Sequence, residues 1–335
     1  MYESRRKLLL GGAAALALGG VGGVPLVRAQ APSMRVGNWP EKPVKVIVGF
    51  APGGSTDVYA RVYSAWLQSK LGQSFIVENR PGAGSLIACE ALAKSAPDGY
   101  TLMYTISTSL VQNQMLYSKL PYDPNQFVQI AATQGSTTIV SISSTVPVNS
   151  GPEFVAWAKK NQVNFGTYAA GSFPHMICER MNKVYGLKME PVHYKGEAPM
   201  YQDMAGGTVH IASGSYQGLS PLMRGGKAKV LGTLTKVRNR NTPDTPTFFE
   251  QGMTDPVFQM KEWGAWVGPP GLPAAIRDRL SQLLQDGWND EKVRGQMQGL
   301  GVFDPLTSAA EAEATYREQS PLILGILREL NVKQE

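Results

Sequence analysis

The chain of 335 residues is poor in the side chains that most often carry catalysis and metal binding, with only two cysteines and three histidines. Cys89 and Cys178 lie far apart in helical patterns and make no disulfide framework. A bridge between them would lock together the units that carry them, and they are read as buried free thiols. His175, His193 and His210 lack the spacing of a metal-binding pair, so neither a metal nor a cofactor is expected. A Gly-x-Ser-x-Gly elbow is missing. There is no run of basic residues interleaved with aromatics, which removes the case for nucleic acid. After residue 31 no stretch approaches the ~18 apolar residues of a membrane-spanning helix.

What is present begins with a leader. Ser4-Arg5-Arg6-Lys7-Leu8-Leu9-Leu10 sets a twin arginine before an apolar, alanine- and glycine-rich run, and Ala29-Gln30-Ala31 offers small residues for cleavage. Residues 1–31 are therefore expected to be a twin-arginine export signal cut near Ala29 to Ala31, which leaves a periplasmic chain. The other reading, a membrane-anchoring helix, fits less well with four glycines among residues 19–23. The leader carries three of the six net positive charges, so the remainder is only mildly basic.

With 43% apolar residues, the remaining chain is long enough to bury a full core and to form two lobes. Val46 to Asp57, VIVGFAPGGSTD, reads as a strand, a glycine turn and a helix whose apolar positions Val58, Val62, Ala65 and Trp66 share one face. Ser55 or Thr56 can cap that helix, and its outward amides suit an anion. No lysine lies between Phe50 and Gln68, so this is not a P-loop. A plain turn that binds nothing is the competing reading. One helix dipole contributes ~0.3–1 kcal/mol to an anion, whereas micromolar binding needs about 8 kcal/mol. Further loops of the same kind are required.

They follow. Strand and helix alternate from Val44 onward, the signature of parallel sheets with crossover helices, hence an α/β fold with ligands at the carboxyl ends of strands. Ser107-Thr108-Ser109 follows the third strand, able either to donate to a carboxylate or to cap the next helix. A second unit runs through Thr167-Tyr168-Ala169-Ala170-Gly171-Ser172 into a helix over 176–185, and Ser213-Gly214-Ser215 forms a third polar loop. The crossings between lobes are expected near 127–133 and 230–235, with 35–130 plus 236–335 as one lobe and 131–235 as the other. Residues 139–148 read as a strand, 248–252 and 273–289 as helices, and 309–330 as a closing amphipathic helix. Ser172, His175 and Asp57 could be imagined as a hydrolase triad. A serine at a helix start more often serves the helix amides, so no catalytic residue is assigned.

The ordered segments VIVGFAPGGSTD (46–57), VENRPGAG (77–84), APDGYTL (96–102), LPYDP (120–124), GSFPHM (171–176), YKGEAP (194–199), AGGTV (205–209) and DTPTFFEQG (244–252) resemble the extracytoplasmic solute receptors of tripartite tricarboxylate transporters, the Bug or TctC-like proteins. The resemblance implies a two-lobed type II periplasmic-binding-protein fold, each lobe a mixed, mostly parallel sheet flanked by helices. It implies a non-enzymatic monomer that closes on a small mono- or dicarboxylate and delivers it to a two-subunit integral membrane permease. A sensor for a membrane signalling partner would use the same closure.

Together with the loop readings, the resemblance yields expected ligand contacts at Phe50, Pro52, Gly53, Gly54, Ser55, Thr56, Asp57, Ser107, Thr108, Thr167, Tyr168, Ala169, Ala170, Gly171, Ser172, His175 and Ser215. Tyr168 and Ala169 replace smaller family residues, His210 stands where aspartate is common, and Ser213-Gly214-Ser215 replaces a stretch that often carries Asp-Asn. These departures make Tyr168, His210 and Ser215 the first positions to consult for ligand identity, with an aromatic acid among the candidates.

Overall fold

The computed structural model describes residues 36–134, 138–260 and 262–330. The expected export signal lies outside them. The described residues form one compact unit built on two five-stranded sheets.

The first sheet contains β1 (Val44–Val48), β2 (Phe75–Asn79), β3 (Thr101–Ile106) and β4 (Val128–Ala132). The second contains β5 (Ile139–Ser143), β6 (Asn164–Thr167), β7 (Glu190–His193), β8 (Ile211–Gly214) and β9 (Ala228–Thr233), and β10 (Gly264–Gly268) returns to the first. Their orders are β2-β1-β3-β10-β4 and β7-β6-β8-β5-β9. In each sheet one inserted strand runs against both neighbours: β10 between β3 and β4, and β5 between β8 and β9. The two sheets thus share one plan. The chain leaves the first sheet after β4 to supply β5, and leaves the second after β9 to supply β10.

The helices are α1 (Ser55–Leu71), α2 (Leu86–Ala93), α3 (Asn113–Leu116), α4 (Gly151–Ala158), α5 (Phe173–Tyr185), α6 (Glu197–Ala205), α7 (Tyr216–Arg224), α8 (Ala274–Asp286), α9 (Glu291–Gly299) and α10 (Ala309–Leu330). Both inserted strands are buried along their whole length, as central strands covered on both faces must be. Trp266 of β10 is fully buried opposite Tyr104 of β3, with ring centroids 5.5 Å apart. Another apolar cluster runs from Ile47 and Met103 through Leu110 and Val111 to Phe173 and Met176, so the two sheets share a continuous core at one side. Cys89 and Cys178 are both buried and free, and burial pushes the Cys89 thiol up to about 12.

Local expectations needed three corrections. Residues 248–252 form hydrogen-bonded turns instead of a helix; Thr247 and Glu250 bond each other's backbone N–H, and Gly252 at φ 79° ends the turn at once. The strand expected over 139–148 ends at Ser143. The helix expected over 273–289 ends at Asp286 and passes into a single 3-10 turn at Gly287–Asn289. Helices α7 and α9 were not anticipated.

Candidate solute-binding cleft

The carboxyl ends of β1, β3 and β8 converge on the space between the sheets. A cavity of about 350 Å³ opens there, lined by Ser55, Thr56, Tyr59, Tyr104, Glu197, Gly214, Ser215, Glu262 and Trp263, with Arg238 to Asn241 and Gly301 to Asp304 forming further wall. That volume lies within the range of small-molecule pockets.

Above the cavity the loops expected to face one another do meet. Phe50, Tyr168 and Ala169 form a small apolar cluster with Ile106 packed against it, and Phe50 meets Tyr168 edge-on at 6.1 Å. The Ala51 N–H donates to the Lys195 carbonyl at 2.8 Å, a backbone bond from the first sheet's loop to the second's. Gly196 makes this approach feasible: at φ 149° it takes a conformation that L residues rarely adopt, and a Cβ there would sit 3.1 Å from the Ala51 nitrogen.

The helix starts are occupied in an unforeseen way. Gly54 precedes α1 without any side-chain cap, so neither Ser55 nor Thr56 serves as one. Instead Glu197, at the first turn of α6 and 8% exposed, places its carboxylate between two helix N-termini. It accepts from Ser55 N–H (3.3 Å) at α1, and from Ser215 N–H (2.8 Å) and Ser215 Oγ–H (2.7 Å) at α7. Ser215 in turn accepts from Gly218 N–H and caps α7. Amides that suit an anion have therefore found one in the chain itself.

Glu262 forms the second acidic point. Its carboxylate accepts from the Tyr168 hydroxyl at 2.5 Å and from Thr108 Oγ1 at 3.4 Å. Poor solvation in the cleft, reinforced by Glu197, pushes its pKa up to about 8. No lysine or arginine pairs with Glu197 or Glu262 among the described residues. Arg238 is held by Glu250 at 3.0 Å, and Arg240 lies 3.8 Å from Asp304.

Of the expected contacts, Ser55, Thr56 and Ser215 line the cavity. Thr108 and Tyr168 adjoin it through Glu262. Phe50 and Ala169 pack with Ile106, which itself lines the cavity. The others have different duties. Pro52, Gly53 and Gly54 make the turn before α1, and the Asp57 carboxylate accepts from Gly53 N–H, Arg61 and Asn79. Burial opposes ionisation there, yet these bonds outweigh it and hold the Asp57 pKa below the usual range. Ser107 donates its N–H to the Trp263 carbonyl, and the hydroxyls of Ser107 and Thr108 do not cap the following π-helical turn.

In the second loop, Thr167 Oγ1 bonds His193 Nδ1 at 2.5 Å, and Ala170 follows in the turn. Ser172 Oγ–H donates to the Ala169 carbonyl at 2.6 Å rather than accepting from helix amides. Gly171 N–H donates to His175 Nδ1, and the His175 ring packs edge-on against His193. Burial, then the neighbouring His175, lowers the His193 pKa to about 4. Ser172, His175 and Asp57 are each committed to separate partners, so no triad forms.

His210 is not among the residues that line this cavity. It precedes β8 at the end of the strand opposite Ser215, accepts from Asn164 N–H at 3.0 Å and packs on Trp157. Glu197, Tyr104, Glu262 and Trp263 were missed. Glu197 carried a weak signal, an acid at a helix start after glycine; Glu262 carried none.

Two sheets of one plan around a partly open cleft make this an α/β solute-binding protein of the two-lobed, type II periplasmic-binding-protein class, a non-enzymatic receptor fold. Residues 59–317 match the family model described as "Tripartite tricarboxylate transporter family receptor", and the chain belongs to that family. Among relatives, an Agrobacterium vitis protein encoded in the ttuE-ttuC' intergenic region of TAR-I is 32% identical, covering 87% of this chain and 85% of its own. BugT of Bordetella pertussis is 29% identical over 88% and 91%, respectively. An R. palustris protein solved with adipate superposes with TM-score 0.83 at 26% identity, covering 89% of this chain and 100% of its own. MatC of Rhodopseudomonas palustris, solved with malate, gives 0.76 at 26% identity over 87% and 98%.

Proposed function

We propose that this receptor is exported to the periplasm, captures a small carboxylate between its sheets and hands it to a two-subunit integral membrane permease. The observation that carries the reading is the partly open cavity of about 350 Å³ at the carboxyl ends of strands from both sheets, flanked by the N-termini of α1 and α7. The adipate and malate held by related structures support the ligand class, and family membership supports the permease.

In this reading 35–130 with 236–335 form one lobe and 131–235 the other, and they close by bringing Ala51 against Lys195. Ser55, Thr56 and Ser215 contact the solute directly. Tyr168 and Thr108 act by positioning Glu262, while Phe50 and Ala169 exclude water from above. The remaining loop residues hold the backbone in shape.

Binding must stabilise the folded chain, by about 2.7 kcal/mol at a ligand concentration of 100 times Kd. Thermal melts against a broad panel of mono- and dicarboxylates should therefore show a raised Tm with at least one acid. A panel without any shift, joined to turnover of an ester or amide, would overturn the reading.

A further inference from the structure

Three helix N-termini converge where the two sheets meet. Helix α1 follows β1 of the first sheet, while α6 and α7 follow β7 and β8 of the second. Each start carries the equivalent of roughly half a positive charge, so facing ends repel one another unless an anion lies between them. The anion at this point belongs to the chain. Glu197 accepts from Ser55 N–H across the junction at 3.3 Å, and from Ser215 N–H and Ser215 Oγ–H on its own side at 2.8 and 2.7 Å.

The surroundings are shaped to that side chain. A Cβ at Gly214 would lie 2.8 Å from Glu197 Oε1, and one at Gly218 3.3 Å from Oε2, so bare backbone on two sides leaves the carboxylate its room. From the first sheet, Gly54 comes close enough that a Cβ there would stand 3.8 Å from the Glu197 nitrogen. Beside this point the Ala51 N–H to Lys195 carbonyl bond spans the same junction.

We propose that Glu197 is a built-in latch: its carboxylate draws the starts of α1 and α7 together and holds the two sheets closed at this junction before any solute arrives. The latch itself rests on the bonds above; its consequence for binding rests on the solute-binding reading. The solute enters a cavity already shaped and spends little of its affinity on closing the chain. Compaction of the wild type should therefore change little when a solute binds.

The test exploits a size match, since Glu197→Ala removes the CH2–COO⁻ group that free acetate resupplies. Small-angle scattering gives the radius of gyration, and hydrogen exchange at the Ala51 amide reports the junction from a residue outside the latch. Glu197→Ala should be more expanded than the wild type and exchange Ala51 about tenfold or more faster, the scale of one lost hydrogen bond to a charged group. Acetate should restore both readings, and chloride at equal ionic strength should restore neither. Ser55→Pro gives an independent variant that cuts the latch from the other side. Gly54 at φ −76°, ψ 170° suits a residue before proline, and the first helical position accepts one. It should expand as Glu197→Ala does, with acetate now without effect, and it decides the matter alone if Glu197→Ala does not fold. Variants as compact and as protected as the wild type overturn the latch, and so does an expanded Glu197→Ala that acetate fails to close. Titration of the acid panel into the wild type separates the two readings: opening of the variants with no acid bound by the wild type keeps the latch and removes the solute, whereas a bound acid with unopened variants does the reverse.

Discussion

At Glu262, burial and the neighbouring Glu197 keep the carboxyl protonated up to about pH 8 in the folded chain, whereas the same group in the unfolded chain loses its proton near 4.5. Between those values the folded state binds the extra proton, so stability falls as pH rises from about 4.5 to 8 and levels off above. Urea midpoints of the wild type and Glu262→Gln across that window should show a slope that the variant largely lacks; equal slopes would mean that Glu262 titrates normally. Gly171 bears on another residue-level point. A Cβ there would lie 2.1 Å from Leu116 Cδ1 at φ 63°, so Gly171→Ala should lower stability by about 1–3 kcal/mol. At Gly54 a Cβ would meet nothing closer than 3.7 Å, so Gly54→Ala should leave the melting temperature nearly unchanged. The glycines of the two loops were read alike from sequence, and only the structure separates a packing glycine from a permissive one.

Among the elements, the backbone bond from Ala51 to Lys195 joins the loop after β1 to the segment before α6, and in the proposed reading closure brings these two together. Gly196→Ala would push a methyl against Ala51, 3.1 Å from its nitrogen, and strain φ besides. It should weaken ligand affinity by about tenfold in titration and also lower the unliganded melting temperature, since overpacking a contact already formed in the folded chain costs about 1–3 kcal/mol. Undiminished affinity would show that closure does not need this approach. Most strands and the helices over 55–71 and 309–330 were legible because their apolar periodicity is local. The failures have physical causes as well. Residues 248–252 carry helical spacing, yet Gly252 and the Thr247–Glu250 bonds stop the chain after a single turn. The antiparallel insertion of β10 depends on pairing with strands more than a hundred residues earlier, which no local pattern records.

For the whole molecule, the repeated strand plan and double crossing place one cavity between the sheets, and the family follows from motifs spread along the entire chain. The facing loops at Phe50 and Tyr168 could be read from their small residues and hydroxyls. The two glutamates could not, because a carboxylate at a helix start or before a strand reads as solvated surface until folding brings it under another sheet. The loop at Val46 to Asp57 consequently has a different role from a bare anion cradle: its first helical amide is matched by Glu197, and the solute must satisfy what remains. Native mass spectrometry of the purified receptor, as isolated and after incubation with small acids and aminocarboxylates, tests this most directly. The account predicts a one-to-one complex with a single small organic acid that survives desalting. A chain that remains at its bare mass under every condition would contradict it.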